Sequence, residues 1–288
     1  MLIYKGGKVK VIRAKILGFC MGVRSAVEMA ENLVNKNDGK KKFMLGPLIH
    51  NSLVVDSFKN RGMEVIDTSS VNKVEKDSSV LIQAHGTTSD IINMLKEKEV
   101  EVFNATCPKV MLNQRRVLEW SEKGFFVIIT GDKNHSEVIS VSSYVNGDFV
   151  VVENVDDVKK IEIPEKSVLI SQTTFSPVEF EKIANFVKSK VPDIKIFNSI
   201  CSATQDRQKS LKELEGKVDG IIVIGGKNSA NVRRLFEMAS MICKNVVLVE
   251  SVADIPSEFL SIETVGITAG ASTPDFIIDE VEKFLINS

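Results

Sequence analysis

Three stretches of this chain follow one plan, and a plan repeated three times restricts the fold more than any single motif does. Cys20, Cys107 and Cys201 are separated by 87 and 94 residues, and each closes an apolar strand-like run: VIRAKILGFC, VEVFNATC and IKIFNSIC. Amphipathic helical segments are predicted next, at 25–33, 112–120 and 208–214, followed by a second strand that ends in Gly46, Gly131 or Gly225. Four residues past each glycine stand His50, His135 and Ser229, each expected to open a further helix. A third strand (EVI, FVVV, NVVLV) and a polar connection lead to a fourth (SSVLIQAHG, KSVLISQTT, ETVGITAGAS), where His85, Gln172 and Ala269 are expected at equivalent places.

Strand-length apolar runs that alternate with helical periods indicate an α/β protein with parallel sheets. The expected organisation is three pseudo-repeated α/β domains at 21–106, 107–198 and 199–288, with the strand within 10–20 completing the third sheet. Parallel sheets bind ligands at the carboxyl ends of their strands, in the loops that open the following helices. Every residue named above falls at such an end.

Composition removes whole classes of function. The 37 Lys and Arg against 38 Asp and Glu leave a net charge of −1, which argues against a polybasic protein that binds nucleic acid or anionic lipid. The first 20 residues scatter Lys and Arg without a long apolar core, unlike a signal peptide, and no apolar run reaches the roughly 18 residues of a membrane span. A cytoplasmic protein without membrane or nucleic-acid partners is expected.

The four cysteines form no C-x-x-C pair, and in a reducing compartment they are core thiols, nucleophiles or metal ligands. A single buried cysteine is ordinarily a small apolar residue, but three in register suggest a shared site. Zinc with three protein ligands is one option, although its thiolate sites usually draw on short Cys pairs. A 4Fe-4S cubane suits three thiolates better, and its fourth iron would stay open as a Lewis acid. Cys243 has no counterpart in the other repeats and sits in an apolar helical stretch, so it reads as core.

The only histidines, His50, His85 and His135, all lie at strand-to-helix junctions. With Asn51, Lys133, Asn134, Ser136, Thr173, Thr174, Ser202, Thr204, Lys227, Asn228, Ser229, Asn231, Ser272 and Thr273 they form a set of donors at helix starts. Helix starts favour anions, although Ser, Thr and Asn also cap helices with no ligand present. Glu137 opens a helix two residues after His135. Beside a bound anion its pKa would rise, which makes it a candidate general acid. An open iron, an anion pocket and a protonatable carboxyl point to removal of a hydroxyl from a phosphorylated substrate.

The motifs GFCMGV, IHN, QAHG, NATCP, NHSE, SQTT, ICSAT, GGKNSAN and TAGAS, in this order over nearly the whole chain, resemble the 4-hydroxy-3-methylbut-2-enyl diphosphate reductase family. The resemblance implies a trefoil of three α/β domains around a 4Fe-4S cluster on Cys20, Cys107 and Cys201. It implies that His50, His85, His135, Thr173, Ser229, Asn231 and Ser272 bind the substrate, most of them through its diphosphate, and that the terminal hydroxyl binds the open iron. It assigns catalysis to Glu137, Thr173 and His135, with Glu137 supplying a proton through Thr173 as water leaves. It implies isopentenyl and dimethylallyl diphosphate as products and ferredoxin or flavodoxin as electron donor. The chain departs from the family in having Ser229-Ala230-Asn231 where Ser-Ser-Asn is usual, which implies a weaker or rearranged contact there. Two other readings of a three-cysteine repeat are a non-redox 4Fe-4S enzyme such as quinolinate synthase and a non-catalytic cluster sensor.

Overall fold

A computed structural model describes residues 3–4, 9–49, 51–227 and 229–288. The first third of the chain forms β1 (Ile3–Tyr4), β2 (Lys10–Arg13), α1 (Met21–Val34), β3 (Lys42–Leu45), α2 (Ser52–Asn60), β4 (Met63–Ile66), β5 (Ser79–Ile82), α3 (Ser89–Glu97) and β6 (Glu101–Asn104). The second forms α4 (Pro108–Glu122), β7 (Phe126–Thr130), α5 (Ser136–Ser142), β8 (Phe149–Val152), α6 (Val155–Lys159), β9 (Ser167–Ser171), α7 (Pro177–Lys190) and β10 (Lys195–Phe197). The third forms α8 (Ser202–Lys212), β11 (Gly220–Ile224), α9 (Ala230–Ile242), β12 (Asn245–Val249), β13 (Thr264–Ala269) and α10 (Asp275–Asn287).

These strands make three sheets of like order: β4-β3-β5-β6, β8-β7-β9-β10 and β12-β11-β13-β2-β1. Every pairing is parallel except the short β1 on β2. β2 pairs with β13 in the register Thr264↔Lys10 to Ile267↔Arg13, so the N-terminal strand fills in the third sheet the edge that β6 and β10 fill in theirs. Among the described residues no helix is long and apolar enough to cross a membrane.

The chain divides into two compact units, one of Met1–Arg24, Ile49–Ser57 and Ser202–Ser288, the other of Ser25–Leu48 and Phe58–Cys201. In the first, alternation along β11 sends Ile222 and Ile224 toward Ile277, Ile278, Val281 and Leu285 of α10. Ile221 and Val223 point the other way, toward Leu211, Val232, Leu235 and Ala239. A strand covered on both faces must be apolar throughout, which is why IIVI shows no polar alternation. The second unit holds the other two sheets; β7 divides its side chains the same way, Ile128 toward Phe180, Ile183 and Val187 and Ile129 toward Val110, Val117 and Val141.

The helices after the cysteines start earlier than their apolar periods suggest, at Met21, Pro108 and Ser202. A first helical turn needs no i−4 partner for its N–H groups and tolerates Pro and small polar residues, so MGVR, PKVM and SATQ carry no periodic signal.

Candidate active site

Cys20, Cys107 and Cys201 each precede the first residue of a helix, and each donates its N–H to the loop after a neighbouring strand. Cys20 N donates to Ala271 O (3.1 Å), Cys107 N to Ala84 O (2.9 Å) and Cys201 N to Thr173 O (2.7 Å). The three acceptors each lie two residues beyond the end of the neighbouring strand, β13, β5 or β9. Counting by these bonds makes Thr174 and Ser272 the counterparts of His85, in place of Gln172 and Ala269. The connections differ in length between repeats, so a count from the cysteine drifts. None of the four cysteines is in a disulfide, and all are half-buried. Cys243 caps the C-terminal end of α9 at the edge of the core.

The glycines expected to end the second strands are also equivalent. Gly46, Gly131 and Gly225 donate their N–H to the last residue of the adjoining edge strand, Ile66, Val152 and Val249, at 2.8, 3.0 and 2.9 Å. A Cβ on Gly131 would lie 2.7 Å from both Gln172 Oε1 and Val138 Cγ2, so only glycine lets the chain turn here into the loop that carries His135.

Within the unit holding the first two sheets, four of the expected site residues come together as two pairs. Glu137 is 1% exposed, in a narrow space lined by Ile129, Val138, Val141, Ile170 and Gln172. Its Oε1 accepts from Thr173 N and its Oε2 from Thr173 Oγ1, both at 2.7 Å. Burial penalises the carboxylate and pushes its pKa up to about 7, against the two Thr173 bonds that favour the charged form. The carboxyl can therefore hold or release a proton near neutral pH. His135 caps α5 by accepting from Glu137 N on Nδ1 at 3.1 Å, which leaves the proton of a neutral ring on Nε2. His85 meets His135 edge to face, with centroids 5.4 Å apart and planes at 84°.

In the other unit, Ser229 and Ser272 lie on the loops that follow β11 and β13, and Asn231 lies in the first turn of α9. Ser229 stands at the start of α9 with no capping bond from its side chain. The Asn231 Nδ2 is buried and, among the described residues, without a partner. Asn51 binds the Ser272 carbonyl through Nδ2 at 3.1 Å and takes Val54 N on Oδ1 at 3.2 Å. Thr273 belongs to the frame, since its Oγ1 donates to Ile224 O at 2.9 Å. His50 and Asn228 lie outside the described residues.

Sequence reasoning missed the bonds made by several buried polar side chains. Asn113 Nδ2 holds Ser171 O at 2.9 Å, just before Thr173. Gln172 links Asp132 N (3.1 Å) to Thr174 Oγ1 (3.1 Å). Buried Arg207 donates to Gly18 O, two residues before Cys20, and to Ala203 O at 3.0 Å. The available signal was a polar residue on an otherwise apolar helix face, as with Asn113 and Gln114 beside Val110 and Val117. A cleft of about 370 Å³ lined by Met111, Gln114, Arg115, Leu118 and Tyr144 contains none of the expected site residues.

Residues 11–286 match the model of the LytB protein family. The chain belongs to the LytB family. A relative from Treponema denticola, named 4-hydroxy-3-methylbut-2-enyl diphosphate reductase, is 43% identical over 286 residues, 96% of this chain and 99% of its own. A Clostridium perfringens relative of the same name is 41% identical over 94% of this chain and 96% of its own. A solved structure of that reductase, described as the terminal enzyme of the non-mevalonate pathway, matches with a TM-score of 0.79 and 35% identity, over 96% of this chain and 99% of that one. A Plasmodium falciparum reductase structure matches with a TM-score of 0.83 and 29% identity, over 98% of this chain and 87% of that one.

The LytB resemblance implies an iron-sulfur cluster, and the donor chemistry fits one. Three thiols outside disulfides sit at three equivalent helix starts, where negative ligands are favoured. Among the described residues, no group of three or more His, Cys, Asp or Glu side chains stands together as a preformed metal site.

Proposed function

We propose that this LytB chain reductively removes the hydroxyl of (E)-4-hydroxy-3-methylbut-2-enyl diphosphate, giving isopentenyl and dimethylallyl diphosphate. The observation that carries this reading is the buried Glu137 carboxyl, held at both oxygens by Thr173 with a pKa near 7, in a chain whose relatives bear the reductase name. The reaction breaks one C–O bond, consumes two electrons and two protons and releases water. Cys20, Cys107 and Cys201 would hold a 4Fe-4S cluster. When bound, it supplies the electrons and a Lewis-acidic iron with an open position.

The chain's own groups do the rest. Protonated Glu137 donates to Thr173 Oγ1, and the threonine passes its own hydroxyl proton toward the leaving oxygen. Burial among Ile129, Val138, Val141 and Ile170 keeps a substantial share of the carboxyl protonated at neutral pH, where an ordinary carboxyl would be ionised. His135 presents an Nε2–H donor because its Nδ1 is occupied by the helix start. His50, His85, His135, Ser229, Asn231 and Ser272 bind the diphosphate, and the partnerless Nδ2 of Asn231 is a donor in want of an acceptor. Ferredoxin or flavodoxin delivers the electrons in the cytoplasm, and the three domains divide at 21–106, 107–198 and 199–288.

An anaerobic assay with iron-loaded protein, a chemical reductant and the allylic diphosphate tests this. Reductant-dependent appearance of the two products is expected. Conversion without any electron source, or none at all by loaded enzyme, would overturn the reading.

A further inference from the structure

We propose that Gln114 and Ser140 are positioning residues that set His85 against His135 and thereby tune how tightly the diphosphate is held; the ligand assignment rests on the proposed function, the geometry does not. Gln114 Nε2 donates to Ser140 Oγ at 2.9 Å, and Ser140 Oγ donates its single proton to Thr87 O at 2.9 Å. Gln114 and Ser140 are 7% and 1% exposed, so water does not compete for these bonds. The direction is fixed: the amide fills a lone pair on the serine oxygen, and the serine proton goes to the loop.

Just past the end of α5, Ser143 repeats the grip. Its Oγ accepts from Ser89 N at 3.0 Å, its carbonyl accepts from Ser89 Oγ at 2.9 Å, and its own hydroxyl donates to Ser140 O at 2.7 Å. The loop from Gly86 to Ser89 is thus fastened at two rungs to the helix whose first turn carries His135 and Glu137. Gly86 sits at φ +81°, and a Cβ there would come within 2.6 Å of Ser140 Oγ and 3.0 Å of Gln114 Nε2. On its other side His85 is anchored by Ala84, which receives Cys107 N at 2.9 Å and donates to Leu48 O at 3.1 Å. The imidazole of His85 is therefore carried on backbone fixed at both flanks, and the edge-to-face meeting with His135 is what the grip preserves. Because Gln114 belongs to α4, the helix that starts behind Cys107, the same bonds tie the histidine pair to the element that presents a thiol.

Releasing the loop loosens a binding group without touching the Glu137–Thr173 pair. Ground state and transition state then suffer alike, which raises KM and spares kcat. In the full-length, iron-loaded enzyme, Ser140→Ala and the near-isosteric Gln114→Met should each raise KM for the allylic diphosphate roughly tenfold, as expected for a displaced binding group, with kcat within about twofold. The double variant should be no worse than Ser140→Ala alone, because Gln114 acts through Ser140. The chain has three histidines, so three imidazole resonances provide a readout that does not need turnover. Those of His85 and His135 should shift in each variant and respond less to added inorganic diphosphate, while that of His50 stays in place. Unmoved imidazole resonances, or losses that add in the double variant, would overturn the proposal. If the wild-type enzyme fails to turn over, the functional reading falls while the resonances still decide the positioning role.

Discussion

The loops after β7 and β11 occupy equivalent places in their sheets and begin alike. Lys133 N binds Glu153 Oε1 at 3.2 Å in one, and Lys227 N binds Glu250 Oε1 at 2.9 Å in the other. They then diverge. In the β7 loop His135 caps its own helix and Glu137 is held by Thr173 at both oxygens. At the end of the β11 loop Ser229 makes no capping bond through its side chain, and in the helix turn that follows, Asn231 buries a donor with no acceptor among the described residues. A satisfied network fixes a proton in place, whereas an unsatisfied one costs stability until a ligand completes it. On the proposed function, equivalent turns would serve proton storage in one repeat and anion capture in another.

The largest way to break this contrast is Glu137→Gln, which keeps the shape and removes the acid. A fall in kcat of roughly 10²–10⁴-fold is expected, with KM little changed in steady-state measurements. Turnover like that of the wild type would remove Glu137 from the mechanism.

The same residue has a stability signature. Its folded pKa of about 7 lies above the ordinary 4.5, so between those values the folded state holds more proton than the unfolded one. The contribution is fully present below about pH 4.5 and is lost as pH rises through 7, by roughly 3 kcal/mol in all. Denaturant unfolding of wild type and Glu137→Gln at pH 5 and pH 8 should show the variant gaining relative stability at the higher pH. Parallel curves would mean that the carboxyl is not desolvated.

On the other loop the expected effects are smaller and opposite in kind. Asn231→Leu removes a buried donor that has no partner, so the ligand-free protein should gain up to about 1 kcal/mol while diphosphate affinity falls roughly tenfold. A variant that is less stable yet binds normally would show that Asn231 serves the fold. Ala230→Ser restores the hydroxyl usual in the family and should tighten diphosphate binding by about threefold, the worth of one modest hydrogen bond. Calorimetric titration that detects no gain would leave the β11 loop complete as it stands.

Much of this was legible in the sequence because the repeat carries its own alignment. Strand–Cys–helix and strand–Gly–helix spacings placed Gly46, Gly131 and Gly225 just past strand ends and Cys20, Cys107 and Cys201 directly before the following helices, and the bonds of those residues are equivalent in each sheet. Partnering of β2 with β13 was readable for the same reason: the third repeat otherwise lacks an edge strand. The Glu137–Thr173 contact spans 36 residues, and no periodicity reports it; it followed only from the family resemblance. The roles of Asn113, Gln114, Ser140 and Arg207 were invisible because their partners are main-chain or side-chain atoms from distant segments.

Mössbauer spectroscopy of anaerobically purified, ⁵⁷Fe-enriched protein, with and without the allylic diphosphate, tests the proposed chemistry most directly. The expected result is a cubane with one iron distinct from three thiolate-bound irons, and a change confined to that iron when substrate is added. A cluster with four equivalent cysteine-type sites, or a spectrum indifferent to substrate, would contradict it.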